Sequence, residues 1–334
     1  KTAYEIVSRD WSSDVCSSDL SLRIRLFTKD DIAFADSLRA LAGWNQLPDD
    51  WLRFLDYQPD GCFIAEWDGQ PVGTATTTIY EDKVAWIGMV LVHPDFQRRG
   101  IGRALLEHCI AFLKPRVTCI KLDATPLGKT LYDKLSFKDE WTLQRWETNH
   151  VELPATPMKY HVRRWSDAED TAAMQSLDRE AFGVDRWQMV LRTKWQSARF
   201  LVHLTPKKRV NAFGTFRLGS RACYLGPVVA ESIAGAGPLI KSFLTDLENQ
   251  PVYWNRPLAA QSLLAFDLLA QSVRKKLPDQ PIFWDIPDAN TCAVELAQRL
   301  GFTPQRPLIR MFLGENKWPG DPQKIFALAG PEIG

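Results

Sequence analysis

The stretch VLVHPDFQRRGIGRALLEHC, Val90 to Cys109, decides the fold expected of the first half of this chain. An apolar strand runs into its beginning, a turn with two glycines follows, and an amphipathic helix completes it. The first N–H groups of a helix lack partners within the helix and carry partial positive charge, so they bind phosphate groups. Gly100 and Gly102 have no Cβ, which lets a phosphate approach the backbone.

The elements on either side of this turn follow an α/β order. Leu22 to Phe27 alternates apolar and basic residues as a strand does, and Asp68-Gly69 between two apolar runs is typical of a β-hairpin. Val84 to Val92 is almost continuously apolar, as expected of a central strand with both faces covered. Beyond the helix, the sequence predicts a strand over Val117 to Leu122, a helix near Leu127 to Leu135 and a last strand to about Arg145.

The composition is that of an ordinary globular protein and argues against several classes of function. The chain has 334 residues, 45% hydrophobic and 24% charged, which suggests two domains of roughly 150 residues each. A net charge of +1 provides no field for binding nucleic acid or a membrane surface. No apolar run approaches the roughly 20 residues of a membrane span, and no signal peptide is visible, so we expect a cytoplasmic protein. The six cysteines and five histidines show no metal-ligand spacing, so no metal is expected.

The chain divides into four segments. Residues 1–20 contain DWSSDVCSSDL, which matches one reading frame of a common sequencing adapter, so we expect this segment not to belong to the protein. Residues 21–147 form the first predicted domain, 148–158 a linker with two prolines, and 159–334 a second domain with a similar order of elements.

The second domain is predicted to be a diverged copy of the first. LDATPLGKTLYDKLSF, Leu122 to Phe137, aligns with PDANTCAVELAQRLGF, Pro287 to Phe302, at a constant offset that also matches Arg145 with Arg310. Asp123 meets Asp288 in this alignment.

A shorter repeat lies inside the second domain. Residues 226–254 resemble 256–284, so a strand–helix unit near 255–284 is predicted to be inserted or duplicated. A natural duplication and a chimeric assembly of two related genes both remain open.

The turn Gln97 to Gly102, QRRGIG, resembles the signature [QR]-x-x-G-x-[GA] of the GNAT superfamily of N-acetyltransferases, and it fills every position. The resemblance covers Leu22 to about Trp146, and the whole chain resembles tandem GNAT proteins. It implies two α/β domains, each a mixed, mostly antiparallel twisted sheet flanked by helices. It also implies that acetyl-CoA, as acyl donor, binds the first domain. The residues implied to bind it are Val90, Leu91 and Val92 along the pantetheine arm, Gln97, Arg98, Arg99, Gly100, Ile101, Gly102 and Arg103 at the pyrophosphate, and Thr125.

Tyr132 is the first catalytic candidate. The family pattern N-x-x-A-x-x-L-Y-x-x-x-G-F keeps its tyrosine here, although Thr125, Gly128 and Ser136 replace the Asn, Ala and Gly. The resemblance implies that this tyrosine protonates the departing CoA thiolate, for which a phenol has a comparable pKa. The alternative is a tyrosine that only packs on its helix.

Asp123 is the first candidate for the general base, because it ends the strand beside the strand that binds the donor. A helix-capping role is about equally compatible with its position, and a chain of water molecules could also serve. Glu66, Glu81 and Asp82 are further candidates.

The second domain lacks the features that carry this chemistry. It keeps Asn290, Ala293 and Gly301 of the pattern, but Ala297 replaces the tyrosine, and VVAESIAGAG without basic residues stands in place of QRRGIG. We therefore expect it to pack on the first domain and help to shape the acceptor site.

The sequence favours an acetyl-CoA-dependent N-acetyltransferase that acts on the amine of a small molecule by direct attack, as a monomer or homodimer. The alternatives are a tandem acetyltransferase similar to mycothiol synthase and a non-catalytic acyl-CoA-binding module. The acceptor does not follow from the fold, because loops that form the pocket vary on a shared scaffold.

Overall fold

The computed structural model describes residues 22–153, 161–193, 197–245 and 280–334. The predicted adapter segment 1–20, residues 154–158 of the linker 148–158 and most of the unit at 255–284 lie outside the described residues. No helix in the described ranges combines the length and the apolar character that crossing a bilayer requires.

The first half follows the predicted order of elements. The Asp68-Gly69 turn closes a hairpin with both residues in the left-handed region, at φ of 51° and 77°, as a two-residue turn between twisted strands favours. The elements are β1 (Leu22–Leu26), α1 (Ile32–Leu41), α2 (Pro48–Tyr57), β2 (Cys62–Trp67), β3 (Gln70–Tyr80), β4 (Val84–Val92), α3 (Ile101–Leu113), β5 (Cys119–Ala124), α4 (Pro126–Lys134) and β6 (Lys138–Thr148).

In its described residues, the second half repeats this order and adds a short strand near its end. Its elements are β7 (Val162–Arg164), α5 (Asp167–Phe182), α6 (Trp187–Thr193), β8 (Ser197–Leu204), β9 (Val210–Arg217), β10 (Cys223–Ala230), α7 (Ile233–Thr245), β11 (Ile282–Pro287), α8 (Thr291–Arg299), β12 (Thr303–Gly314) and β13 (Ile325–Ala327).

The two halves exchange their last long strands. The sheet order is β1-β2-β3-β4-β5-β12-β6-β11-β10-β9-β8-β7, so β12 of the second half lies between β5 and β6 of the first. In turn, β6 lies between β12 and β11 of the second half. The tandem α/β fold with a mixed, mostly antiparallel sheet is thereby confirmed, and the two halves share one continuous sheet.

Two crossed ion pairs mark this exchange. Asp123 on β5 binds Arg310 on β12 through both oxygens, at 2.9 and 3.0 Å. Arg145 on β6 binds Asp285 on β11 in the same way, at 2.7 and 2.6 Å. Asp285 is therefore the counterpart of Asp123, and the alignment with Asp288 is wrong by three residues, because the turn between β11 and α8 is longer than the turn between β5 and α4.

The core joins both halves behind β4. Trp51 and Trp86 of the first half share one buried cluster with Phe182 of the second half and with Ile333 near its end. On the opposite face of the sheet, α3 packs on β3 and β4 over a separate cluster that includes Leu105. Since burial of large apolar side chains is the main favourable term in folding, the shared cluster ties the two halves together.

Candidate functional site

A cleft opens in the first half where β4 and β5 separate. The two parallel strands pair only over Val84 to Trp86 with Cys119 to Lys121. Beyond Trp86, a cavity of about 650 Å³ is lined by both strands, by the start of α3 and by α4. This volume is within the usual range of small-molecule sites.

A β-bulge shapes the β4 side of the cleft. Thr74 pairs with Leu91 and Thr76 with Gly88, so Met89 and Val90 together oppose a single residue of β3. Met89 has a φ of 51°, which is rare for a residue with a side chain, and the Thr74 hydroxyl donates to the Met89 carbonyl at 2.9 Å. A bulge changes the direction of the backbone groups beyond it. The structure places Val90 and Val92 in the cavity lining, whereas the side chain of Leu91 is buried outside it.

The predicted phosphate-binding turn lies at one end of the cavity. Gly100 caps α3 with a φ of 84°, and the side-chain amide Nε2 of Gln97 donates to the Val92 carbonyl at 3.1 Å, which closes the turn. The Ala104 N–H binds the Gly100 carbonyl at 3.0 Å, so the N–H groups of the first helical positions before it have no partner within the helix. The predicted residues that line the cavity here are Gln97, Arg98, Gly100, Ile101, Gly102 and Arg103.

The side chain of Arg99 lies outside the cavity, against aromatic rings. Its guanidinium donates to the Asp95 carbonyl at 3.1 Å and lies over the rings of Trp67 and Phe96, at 5.6 and 5.0 Å. Aromatic faces attract a guanidinium group, which accounts for this orientation. Arg99 does not line the cavity.

Tyr132 on α4 lines the cavity beside Thr125, whose hydroxyl accepts the Gly128 N–H at 3.2 Å and caps the helix. A Cβ at Gly128 would come within 2.9 Å of the Tyr132 ring, so the glycine in place of the family's alanine lets the ring lie close to its own helix. Burial raises the pKa of Tyr132 to about 12, with a smaller contribution from Cys109. The phenol therefore keeps its proton at neutral pH.

Asp123 lines the cavity, but both of its oxygens bind Arg310. Its side chain has no exposed surface, and burial raises its pKa although Arg310 opposes the shift. The Arg310 guanidinium is itself held over the rings of Trp86 and Trp141, at 4.5 and 4.1 Å.

The other carboxylate candidates lie away from the cavity. Glu66 pairs with Arg25, and Glu81 accepts from Arg179 of the second half. Asp82 follows β3 in a turn. None of the three is among the residues that line the cavity.

Glu332 is a cavity residue that the sequence analysis missed. The segment after β13 crosses β4, where a Cβ on Gly88 would come within 2.5 Å of the Glu332 carbonyl oxygen. The Glu332 carboxylate accepts hydrogen bonds from Gln46 at 3.0 Å and from Arg53 and Arg217 at 3.3 Å each. No local pattern marks this residue, because all of these partners lie far from it along the chain.

The corresponding cleft of the second half is filled by the chain itself. β10 and β11 pair at their beginnings, and β13 then pairs with β10 at Val228 and Val229. The Leu328 N–H donates to the Asp285 carbonyl at 2.9 Å, and the Trp284 indole N–H donates to the Phe326 carbonyl at 2.7 Å. The space that is open between β4 and β5 is thus occupied here by backbone.

Comparisons with known proteins agree with this geometry. A family model described as "Acetyltransferase (GNAT) family" matches residues 32–136. A second model, described as "Acetyltransferase (GNAT) domain", matches residues 174–266 and 256–327.

Curated relatives match parts of the chain. An uncharacterised N-acetyltransferase of Bacillus subtilis is 23% identical over 199 residues, 60% of this chain and 70% of its own length. The ribosomal protein bS18-alanine N-acetyltransferase of Escherichia coli is 34% identical over 97 residues, 28% of this chain and 60% of its own length.

Solved structures match almost the whole chain. A Pyrococcus horikoshii protein, provisionally described as an acetyltransferase, superposes with a TM-score of 0.72 at 24% identity and covers 95% of this chain and 99% of its own. A tandem GNAT protein from the clavulanic acid biosynthesis pathway superposes with a TM-score of 0.57 at 16% identity and covers 88% and 98%. At these identities the likeness concerns the fold.

Proposed function

Because the chain belongs to the GNAT family of N-acetyltransferases and carries two such domains in tandem, we propose that its first domain moves an acetyl group from acetyl-CoA to the amine of a small molecule by direct attack. The observation that carries this proposal is the cleft between β4 and β5, which ends at the free N–H groups of α3. The second domain offers no such cleft in the described part of the chain, because β13 fills it.

The first domain binds the donor along β4. The N–H groups at the start of α3 and the Arg98 side chain hold the pyrophosphate, and the backbone around Val90 and Val92 holds the pantetheine arm. An N–H of this strand directed at the thioester carbonyl stabilises the negative charge that develops on its oxygen.

Tyr132 and Asp123 handle the protons in this proposal. The amine nitrogen forms a bond to the thioester carbon, the carbon–sulfur bond breaks, and the CoA sulfur leaves with the electron pair. Tyr132 donates its phenolic proton to that sulfur, and the new amide loses one proton. Asp123 is our candidate to accept this proton, which requires that its ion pair with Arg310 loosen when substrate is bound.

The proposal is tested by calorimetric titration with acetyl-CoA and by an amine-panel assay that detects free thiol. We expect binding of acetyl-CoA and thiol release with at least one small amine. Acetyl-CoA binding without turnover on any amine would instead favour the acyl-CoA-binding module. An amino-sugar thiol precursor in the panel tests the likeness to mycothiol synthase.

A further inference from the structure

The cavity holds a guanidinium group without a carboxylate partner. Arg306, near the beginning of β12, lines the cavity, and its Nε is buried without a hydrogen-bond partner. Among the residues that the structure describes, Arg306 forms no ion pair. Arg306 is half-buried, and a cationic group held partly out of water without an anionic partner is costly unless a ligand compensates it.

The buried arginines around this part of the cavity are each paired with a carboxylate. Four carboxylates with almost no exposed surface lie around this part of the cavity, and each is engaged by a guanidinium group. Their pairs are Asp50 with Arg53 and Arg217, Asp123 with Arg310, Asp285 with Arg145, and Glu332 with Arg53 and Arg217.

The charges that face Arg306 leave its own charge uncompensated. Burial, together with the charges of Arg145 and Arg221, lowers the pKa of Arg306 to about 10, although Asp285 and Tyr224 oppose this shift. The Asp285 carboxylate already accepts hydrogen bonds from two guanidinium nitrogens of Arg145. It also accepts one from the Tyr224 hydroxyl, at 3.0 Å.

Arg306 lies away from the phosphate-binding turn. The backbone N–H of its neighbour Arg221 donates to the side-chain oxygen of Asn45 at 2.9 Å, and Asn45 also lines the cavity. Asn45 and Gln46 belong to the side where Glu332 packs on Gly88. Gly88 and Val92 are four strand residues, or about 13 Å, apart. The groups that act most strongly on Arg306 are Arg145, Asp285, Tyr224 and Arg221, and no residue of the turn Gln97 to Gly102 is among them. We therefore assign Arg306 to the acceptor side of the cavity.

We propose that Arg306 binds a carboxylate or phosphate group carried by the acceptor, so that the substrate is a small amine with a second, anionic group. The guanidinium fork matches the geometry of both anions. A cavity of about 650 Å³ that also receives the pantetheine arm leaves room for an acceptor of amino-acid size. This inference rests on the proposed acetyl transfer.

The test compares matched pairs of amines in the thiol-release assay. One arm pairs amino acids with their amides, and another pairs phosphoethanolamine with ethanolamine, which distinguishes carboxylate from phosphate. We expect kcat/KM to be about 10- to 100-fold higher for the anionic member of at least one pair, as a charge-assisted bond implies.

Arg306→Gln should remove this preference by raising KM for the anionic amine about 10- to 100-fold, with kcat and the neutral amine much less affected. Arg306→Lys should restore part of it, because the charge returns without the fork. Arg299→Ala is the control, since Arg299 is exposed on α8, pairs with Glu295 of the same helix and does not line the cavity. Equal kcat/KM within every pair, or an unchanged preference in Arg306→Gln, would overturn the proposal.

Failure of the proposed function is distinguishable from failure of this inference. If no amine releases thiol, calorimetric titration of the CoA-loaded protein with the same pairs still measures recognition of the anion. Binding of an anionic amine that is lost in Arg306→Gln supports the site, and equal binding by both proteins contradicts it.

Discussion

At the scale of single residues, Tyr132 lines the cavity and keeps its phenolic proton at neutral pH. Because burial raises the pKa of Tyr132 to about 12, the phenol stays protonated as pH rises and loses its proton only near that value. We predict that Tyr132→Phe lowers kcat about 100-fold while the Kd of acetyl-CoA changes little. Steady-state thiol release and calorimetry measure the two quantities.

The pH profile gives a second view of the same residue. In the wild-type protein, kcat should show no loss from ionisation of Tyr132 between pH 7 and about 10, because its folded-state pKa lies above that range. An unchanged kcat in Tyr132→Phe would show that the ring only packs against Phe137.

At the scale of elements, the start of α3 depends on a left-handed residue. Gly100 has a φ of 84°, and a Cβ there would meet no protein atom within 4 Å, so an alanine is opposed by backbone conformation alone. We predict that Gly100→Ala costs about 1 to 2 kcal/mol of stability. The same substitution should weaken acetyl-CoA binding at least about 10-fold, because the first N–H groups of α3 would no longer point at the phosphates.

Gly69→Ala is the matched control for this change. Gly69 also has a left-handed φ, 77°, and open space around its Cβ position, but it lies in the β2–β3 turn outside the cavity. Thermal unfolding should show similar losses in the two variants, and calorimetry should show weaker acetyl-CoA binding only in Gly100→Ala. Equal affinities would remove the turn from the donor site.

At the scale of the whole molecule, the crossed ion pairs allow structure and catalysis to be separated. Asp123→Asn and Asp285→Asn each leave a buried arginine uncompensated, so each should lower the free energy of unfolding by about 3 to 5 kcal/mol. If Asp123 accepts the amine proton, only Asp123→Asn should also lower kcat and alter its dependence on pH.

Denaturant unfolding and pH profiles of kcat measure the two effects. Asp285→Asn is the control, because Asp285 occupies the equivalent position in the second half and does not line the cavity. Identical pH profiles for both variants would assign Asp123 to the ion pair alone.

The filled second cleft makes a prediction about the whole chain. Because β13 occupies the space between β10 and β11, we expect one acetyl-CoA molecule to bind per chain in calorimetric titration. The Glu332 segment that follows β13 reaches β4, so the second half helps to form the cavity of the first half. A stoichiometry of two would contradict this arrangement.

The sequence by itself determined the features whose parts are contiguous. The turn Gln97 to Gly102, the Asp68-Gly69 hairpin and the capped helix of Tyr132 depend on backbone conformation and hydrogen bonds among neighbouring residues, which residue type controls directly. The tandem repeat of α/β elements followed from the same local patterns. The alignment of Asp123 with Asp288 failed, because a longer turn shifts β11 relative to α8.

The tertiary structure alone decided how the halves combine. The exchange of β6 and β12 brings Arg306 and Arg145 into the cavity of the first half, and the segment after β13 adds Glu332. These side chains come from positions far apart in the sequence. Whether each of their charges is paired depends on the neighbours that the shared sheet brings next to it. Long-range pairing of strands, and the burial that accompanies it, has no signature within any short stretch of the chain.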